Sequence, residues 1–378
     1  MVGYKKGEKQ MKRRKIFYLS LLVFSVFSLG SFASTINLNV DDFAVFAGGK
    51  LSVSKDVIIS GDVGSMRDMW INSRSKVDGA IYSGAKFSAG SEFSATGRII
   101  SHGSVGINSN ANVMSIDSGG SLYVGSGSKV GALKANEKIN ISRYVTVFGD
   151  VGSNNSVGVN SKSVIHGDVI YGTNYWIHSS SKVDGTISKG NVEINSWTTE
   201  MRAKPNFKYG KENIYYHSNT DNSLAPGDYR RLSVDKGAVL RLSAGTYNFA
   251  KVWFDDNVQV IADTSGGDVL INVAGNLGAD AGVKFQSVGD GAFTVQSLKT
   301  ISLDNDVIAD ADFISFRNLS IDSGSQINGQ LYAGRDIWLG KGVQVSGMTV
   351  SPDVPEPTTI LLLSIGLFLV HKRRRIAM

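Results

Sequence analysis

The chain has 378 residues, with 39 Lys and Arg against 33 Asp and Glu (formal charge +6), no cysteine, 43 glycines and 5 prolines. Without cysteine there is no disulfide, thiolate metal site or thiol nucleophile, and many glycines with few prolines suit short strands and tight turns rather than disorder. The basic excess sits at the ends: residues 1–33 hold 7 basic and 1 acidic, the stretch from Val354 holds 4 and 1, and residues 34–353 hold 28 and 31, a net −3. That body lacks the basic footprint that phosphate binding needs, so no nucleic-acid partner is expected.

Met1 to Gln10 is a polar extension. Lys12-Arg13-Arg14-Lys15 follows, then an apolar run from Ile16 to Leu29, then Ser31-Phe32-Ala33. A basic start, a short apolar core and small residues at −3 (Ser31) and −1 (Ala33) of a cleavage point make residues 1–33 a secretory signal peptide. An uncleaved N-terminal anchor is the alternative.

From Leu51 a repeat takes over. A small residue recurs at Gly61, Gly79, Gly97, Ser115, Ala132, Gly149, Gly167 and Gly185, in steps of 17 or 18. Apolar residues stand at −10, −8, −2 and +2 of each centre, as Met69, Ile71, Val77 and Ile81 do around Gly79. Apolar pairs two apart mean strands with alternate side chains turned inward. A repeat of this length divides into three sides of about six residues, so each repeat is one rung of a coil whose stacked rungs share a core. The fold expected is all-β: a parallel β-helix, a three-sided solenoid of about 18 residues per rung, with its first part over 34–196.

The closest pair of rungs begins Trp70-Ile71-Asn72-Ser73 and Trp176-Ile177-His178-Ser179, and continues Lys76-Val77-Asp78-Gly79 and Lys182-Val183-Asp184-Gly185. This pattern resembles the rungs of bactofilins and related polymer-forming β-helices, and the resemblance implies the rung geometry. End-to-end self-association is a further expectation for such a coil.

Periodicity lapses in a polar, aromatic segment holding Pro205, Phe207, Tyr209, Tyr215, Tyr216 and His217. Residues 197–225 are read as an insertion or cap, too small for a core of their own. The second part of the β-helix spans 226–350, with centres at Gly275, Gly329 and Gly347 and Ala311 in an intermediate slot. Through Ala244-Gly245-Thr246-Tyr247-Asn248-Phe249 and Asn272-Val273-Ala274-Gly275-Asn276-Leu277 it resembles the β-helices of ice-binding adhesins.

Residues 351–378 form the tail. After Ser351-Pro352-Asp353 come Val354, Pro355, Glu356 and Pro357, then an apolar run from Ile360 to Val370 broken by Ser364 and Gly366. His371, Lys372, Arg373, Arg374 and Arg375 close it. Thr358 to Val370 as a helix reaches about 20 Å, short for a hydrocarbon core of about 30 Å unless the basic residues snorkel. The basic end stays cytoplasmic. This order of Pro-Glu-Pro, transmembrane segment and basic cluster resembles the PEP-CTERM sorting signal. The resemblance implies an exosortase-type membrane protease as partner, export across the inner membrane, a membrane-anchored precursor and a final place at the cell surface or outside it. It also implies an exopolysaccharide or biofilm setting. An anchor that no enzyme reads is the alternative.

Enzymatic chemistry finds little support. Asn219-Thr220-Asp221 and Asp255-Asp256 resemble two polygalacturonase motifs in order, but the Gly-His-Gly and Arg-x-Lys that complete that site are missing. His102, His166, His178 and His217 show no metal-ligand spacing. Asp304-Asn305-Asp306 with Asp310 and Asp312 lacks the Gly and distal Glu of a calcium loop. No catalytic residue, metal or cofactor is expected.

One surface signal remains. Position −9 of a rung lies between two inward residues and points out, and Trp70, Trp176 and Trp338 fall there, as does Tyr123 before Ala132. Exposed rings along one side suit the apolar faces of sugar rings; alternatively the 197–224 segment or a terminal cap covers them. The function expected is structural or adhesive at the cell surface. A polysaccharide-modifying β-helix enzyme and an ice- or surface-binding adhesin are the alternatives.

Overall fold

Alternation builds the first face of the molecule. Met69–Ile71, Phe87–Ala89, Val105–Ile107 and Leu122–Val124 each bury their first and third residues and turn the middle one outward. The computed structural model describes residues 34–347. Ser31, Ala33 and the rest of the signal peptide, and the tail with Val354 to Pro357, its apolar segment and Lys372 to Arg375, lie outside the described residues. Among the described residues no helix is long and apolar enough to cross a membrane.

Each rung visits three faces. The rung from Leu51 runs through Leu51–Val53 on face 1, Ile58–Ser60 on face 2 and Asp62–Ser65 on face 3. All pairing between rungs is parallel, in steps of 18 from Leu51 to Met69 to Phe87. The corner from face 1 to face 2 is left-handed: Asp56, Arg74, Glu92, Asn110 and Lys162 have φ of 57–64°. The corner from face 2 to face 3 explains the small centre of the repeat. A Cβ on Gly79 would stand 2.3 Å from the carbonyl oxygen of Gly61 one rung away. Inside, one continuous apolar core runs from rung to rung, with Val77, Ile81, Ile139, Val151, Leu303 and Phe313 fully buried. The three-sided parallel β-helix of about 18 residues per rung is therefore the fold.

The order of rungs along the axis is not the order in the chain. Face 1 is a 15-stranded sheet in which Leu51–Val53 pairs with Met69–Ile71 on one side and Ile337–Leu339 on the other. The first half climbs from this seam to Asn174–Ile177 at one end, and the second half starts at the opposite end with Asn213–Tyr216 and coils back to the seam. Faces 2 and 3 close the same seam, Ile58–Ser60 on Gln344–Ser346 and Val45–Ala47 on Leu331–Ala333.

The segment between the halves returns along the outside. Ser196–Thr199 pairs in parallel with Thr35–Leu38. Trp197 enters a second, smaller core on the outside of face 3, with Val40, Phe43, Phe46, Tyr82, Ile100, Ile314 and Tyr332. Its indole donates to the Ser83 carbonyl at 3.3 Å, and further on Arg202 pairs with Asp41 at 2.7 Å. The first rung of the second half, from Asn213, lies inside the stretch 197–225 where periodicity lapses.

One assignment of the repeat needs correcting. Gly275 stands 54 residues before Gly329, but its amide bonds to the Ala250 carbonyl where face 3 turns to face 1, not at the corner that Gly329 occupies. The intervening rungs are longer, 25 residues from Val252 to Leu277 and 24 from Leu277 to Ile301, so a distance of three regular repeats is coincidental there.

Candidate functional site

The outward residues of face 1 form a single column, because each strand presents one side chain between two buried ones. From one end it reads Tyr215, Ser233, Trp253, Gly278, Ser302, Ser320 and Trp338. It crosses the seam through Ser52 and continues Trp70, Ser88, Gly106, Tyr123, Asn140, Gly158 and Trp176. Every aromatic is separated from the next by Ser, Gly or Asn. At about 4.8 Å per strand, Trp338 and Trp70 stand about 10 Å apart, Trp70 and Tyr123 about 14 Å, and the column is about 67 Å long.

All four expected surface aromatics are on this column and exposed, from 37% for Trp70 through 42% for Trp338 and 45% for Tyr123 to 54% for Trp176. The segment expected as a cover packs on face 3 instead. Two members escaped the sequence reading, Trp253 and Tyr215, because their rungs lie where the 18-residue rhythm is broken. Chain order also misplaces Trp338: the seam brings it to two strands from Trp70.

The small neighbours make room for the rings. A Cβ on Gly278 would meet the Trp253 ring at 2.3 Å, so that indole lies down over the next strand. Lys50 reaches over Trp70, its Nζ 5.5 Å from the ring centroid, a contact that fixes the ring by cation–π attraction. Beside Trp176, Asn140, Gly158, Asn160 and Asn174 line an open depression of about 330 Å³. Apolar ring faces alternate with hydroxyls and amides along one line, which is the pairing a sugar polymer offers in return.

An acidic row borders the column in the second half. Asp235, Asp255, Asp280, Asp304 and Asp322 follow their face-1 strands in successive rungs, each amide bonded to the rung before. Burial, then the charges of Asp255, Asp256 and Asp304, raise the Asp280 carboxyl above the ordinary carboxylate range, against a hydrogen bond from Trp253. Asp322 is raised by burial and by sharing a hydrogen bond with Asp304. Asp255, Asp256 and Asp280 bring ligand oxygens within 4.8 Å of one another and could hold a metal ion, a grouping the sequence reading did not pick out.

The histidines stay on turns. His166 pairs with Asp184 at 2.7 Å, and His178 Nδ1 accepts from the Ser180 hydroxyl at 2.9 Å. The sequence reading saw no His paired with a nucleophile; this one is a local turn contact between exposed groups, and neither pair lines an enclosed cavity.

Residues 353–375 match the model of the PEP-CTERM protein-sorting motif. The tail thus marks an exported protein sorted by an exosortase. No curated protein matches the chain. Among solved structures, the chain is similar to an ice binding protein from an Antarctic bacterium, Flavobacteriaceae, at 12% identity and TM-score 0.26, over 83% of this chain and 98% of that one.

Proposed function

We propose that this protein is a non-enzymatic structural or adhesive component of the bacterial surface, holding exopolysaccharide of the biofilm matrix on face 1. The observation that carries the reading is the column of six exposed Trp and Tyr rings spaced by small polar residues on one sheet. Partial burial of each ring against Ser and Gly holds it in place before a ligand arrives, which lowers the ordering cost of binding. A binding role needs no reaction centre, and the exposed pairs His166–Asp184 and His178–Ser180 offer no enclosed one. The tail supplies the route: exosortase processing releases the solenoid from a membrane-anchored precursor.

The test is retention on purified exopolysaccharide by W70A, W176A, W253A and W338A combined, beside thermal melts and a reducing-sugar assay. Unchanged melting with lost retention supports the reading. Sugar release by the unmodified protein, or retention that survives loss of the rings, rejects it.

A further inference from the structure

We propose that the protein assembles head to tail through its two bare ends, the spiral of one copy continuing into the next. This rests on the terminal rungs and stands apart from any role of face 1.

Both ends of the solenoid are uncovered. At one, Asn174–Ile177, Lys182–Val183 and Ile187–Lys189 have a neighbouring strand on one side only. Their inward positions are left open: Tyr175 is 47% and Ile187 41% exposed, whereas Val157 and Val169 one rung deeper are 1% and 0%. At the other end Asn213–Tyr216, Asp221–Leu224 and Gly227–Asp228 are equally one-sided, with Ile214, Tyr216 and Tyr229 half-buried. Solenoids ordinarily close such ends with polar capping repeats, because free strand edges and core residues recruit partners. The returning segment does not serve as a cap. It leaves the first end at once, Val192 packing against Gly152 on the side. Ser34 and Gly347, where the described chain begins and stops, lie at mid-length by the seam.

A second copy is the occupant that fits. Both terminal rungs follow the 18-residue step, Ser156 to Asn174 at one end and Asn213 to Arg231 at the other. Every strand is parallel, so translation along the axis sets Tyr175 on Ile214, Ile177 on Tyr216 and Ile187 on Gly227. Lys182, its side chain 72% exposed, then meets Asp221 at 55%. Trp176 lands beside Tyr215, and the aromatic column runs on unbroken. The seam is the precedent within the molecule: there too, rungs without a chain connection stack by parallel pairing on all three faces. A heterologous contact of this kind does not close on itself and yields a filament.

The chain has no cysteine, so S188C and D228C in the full chain give a unique pair. Within one copy these sites lie about 67 Å apart along the axis, far beyond the ~7 Å that a disulfide spans. Expected on oxidation is a ladder of multimers from the double variant and no ladder from either single one, with filaments repeating every ~72 Å, fifteen strand spacings. K182E should cut the ladder severalfold, and K182E with D221K should restore it. Absence of a ladder from folded protein overturns the proposal. So does equal dimerisation of S188C alone, which means like ends meet, or a ladder only after removal of residues 351–378, which makes the tail the occupant.

Discussion

Gly347, the last described residue, lies directly against Ala44: its amide donates to the Ser60 carbonyl at 3.2 Å, and a Cβ at 347 would stand 2.5 Å from that of Ala44. The two residues are 303 positions apart in the chain and adjacent in the spiral. Gln344–Ser346 ends on face 2, and Phe43–Ala47 takes the next place, on face 3. The solenoid is therefore a continuous coil whose chain has been cut at mid-length and reconnected through the outer segment.

A circular permutant follows from that geometry. Gly347 joined to Phe43 by a short Gly/Ser linker, with new termini opened between Lys204 and Pro205, keeps every rung pairing. Its cooperative melt is expected within a few degrees of the parent, since new termini in exposed segments are tolerated. Collapse to a molten or aggregated species would mean that the outer segment does more than connect.

The position of a rung along the axis should grade the cost of a buried charge. Ile141 and Ile177 occupy the same inward slot one rung and two rungs along, but Ile141 is fully buried and Ile177 belongs to the open terminal rung. Ile141→Asp is expected to cost on the order of 4 kcal/mol, and Ile177→Asp clearly less. Equal losses in denaturant melts would show the terminal rung to be covered.

Rung geometry was legible because the inward alternation of Met69, Ile71, Val77 and Ile81 is physically obligatory in every regular rung. The seam was not. Each rung pairs with neighbours of the same pattern, so Leu51 meets Ile337 with the same chemistry as it meets Met69, and periodicity carries no information about which neighbour is chosen. Trp253 was missed for a different reason: bulged corners lengthen its rung and move it out of the count. The covering role offered for residues 197–224 failed because Trp197 finds a buried pocket on face 3, built by Phe43, Tyr82 and Ile314 from non-adjacent rungs.

Two glycines should respond differently to alanine. Gly79 meets backbone, the Gly61 carbonyl at 2.3 Å, so Gly79→Ala forces the corner apart at about 1–3 kcal/mol. Gly278 meets the mobile end of an exposed side chain, the Trp253 ring at 2.3 Å. Gly278→Ala should lift that ring off the sheet with little change in melting, read as a red shift of indole emission. A stability loss at Gly278 matching that at Gly79 would show the ring to be locked.

The interface beneath the outer segment sets a pH dependence. Asp117 accepts from Asn195 Nδ2 at 2.6 Å, and burial raises its carboxyl above the ordinary value, opposed by that bond and by Lys134 and Arg98. Asp62 and Asp312, on the same side, are raised by burial too. A raised folded value means the native state binds the proton more tightly than the unfolded chain. The stabilising contribution is complete below the unfolded value of about 3.9 and is lost as pH rises through the folded value. Asp117→Asn keeps an acceptor for Asn195 without the charge. It should match the parent at pH 3 and exceed it in melting temperature at pH 7, with the gap opening just above pH 4. A parent more stable than the variant at neutral pH would mean that Lys134 and Arg98 outweigh burial, and that the carboxylate is held charged at the strap.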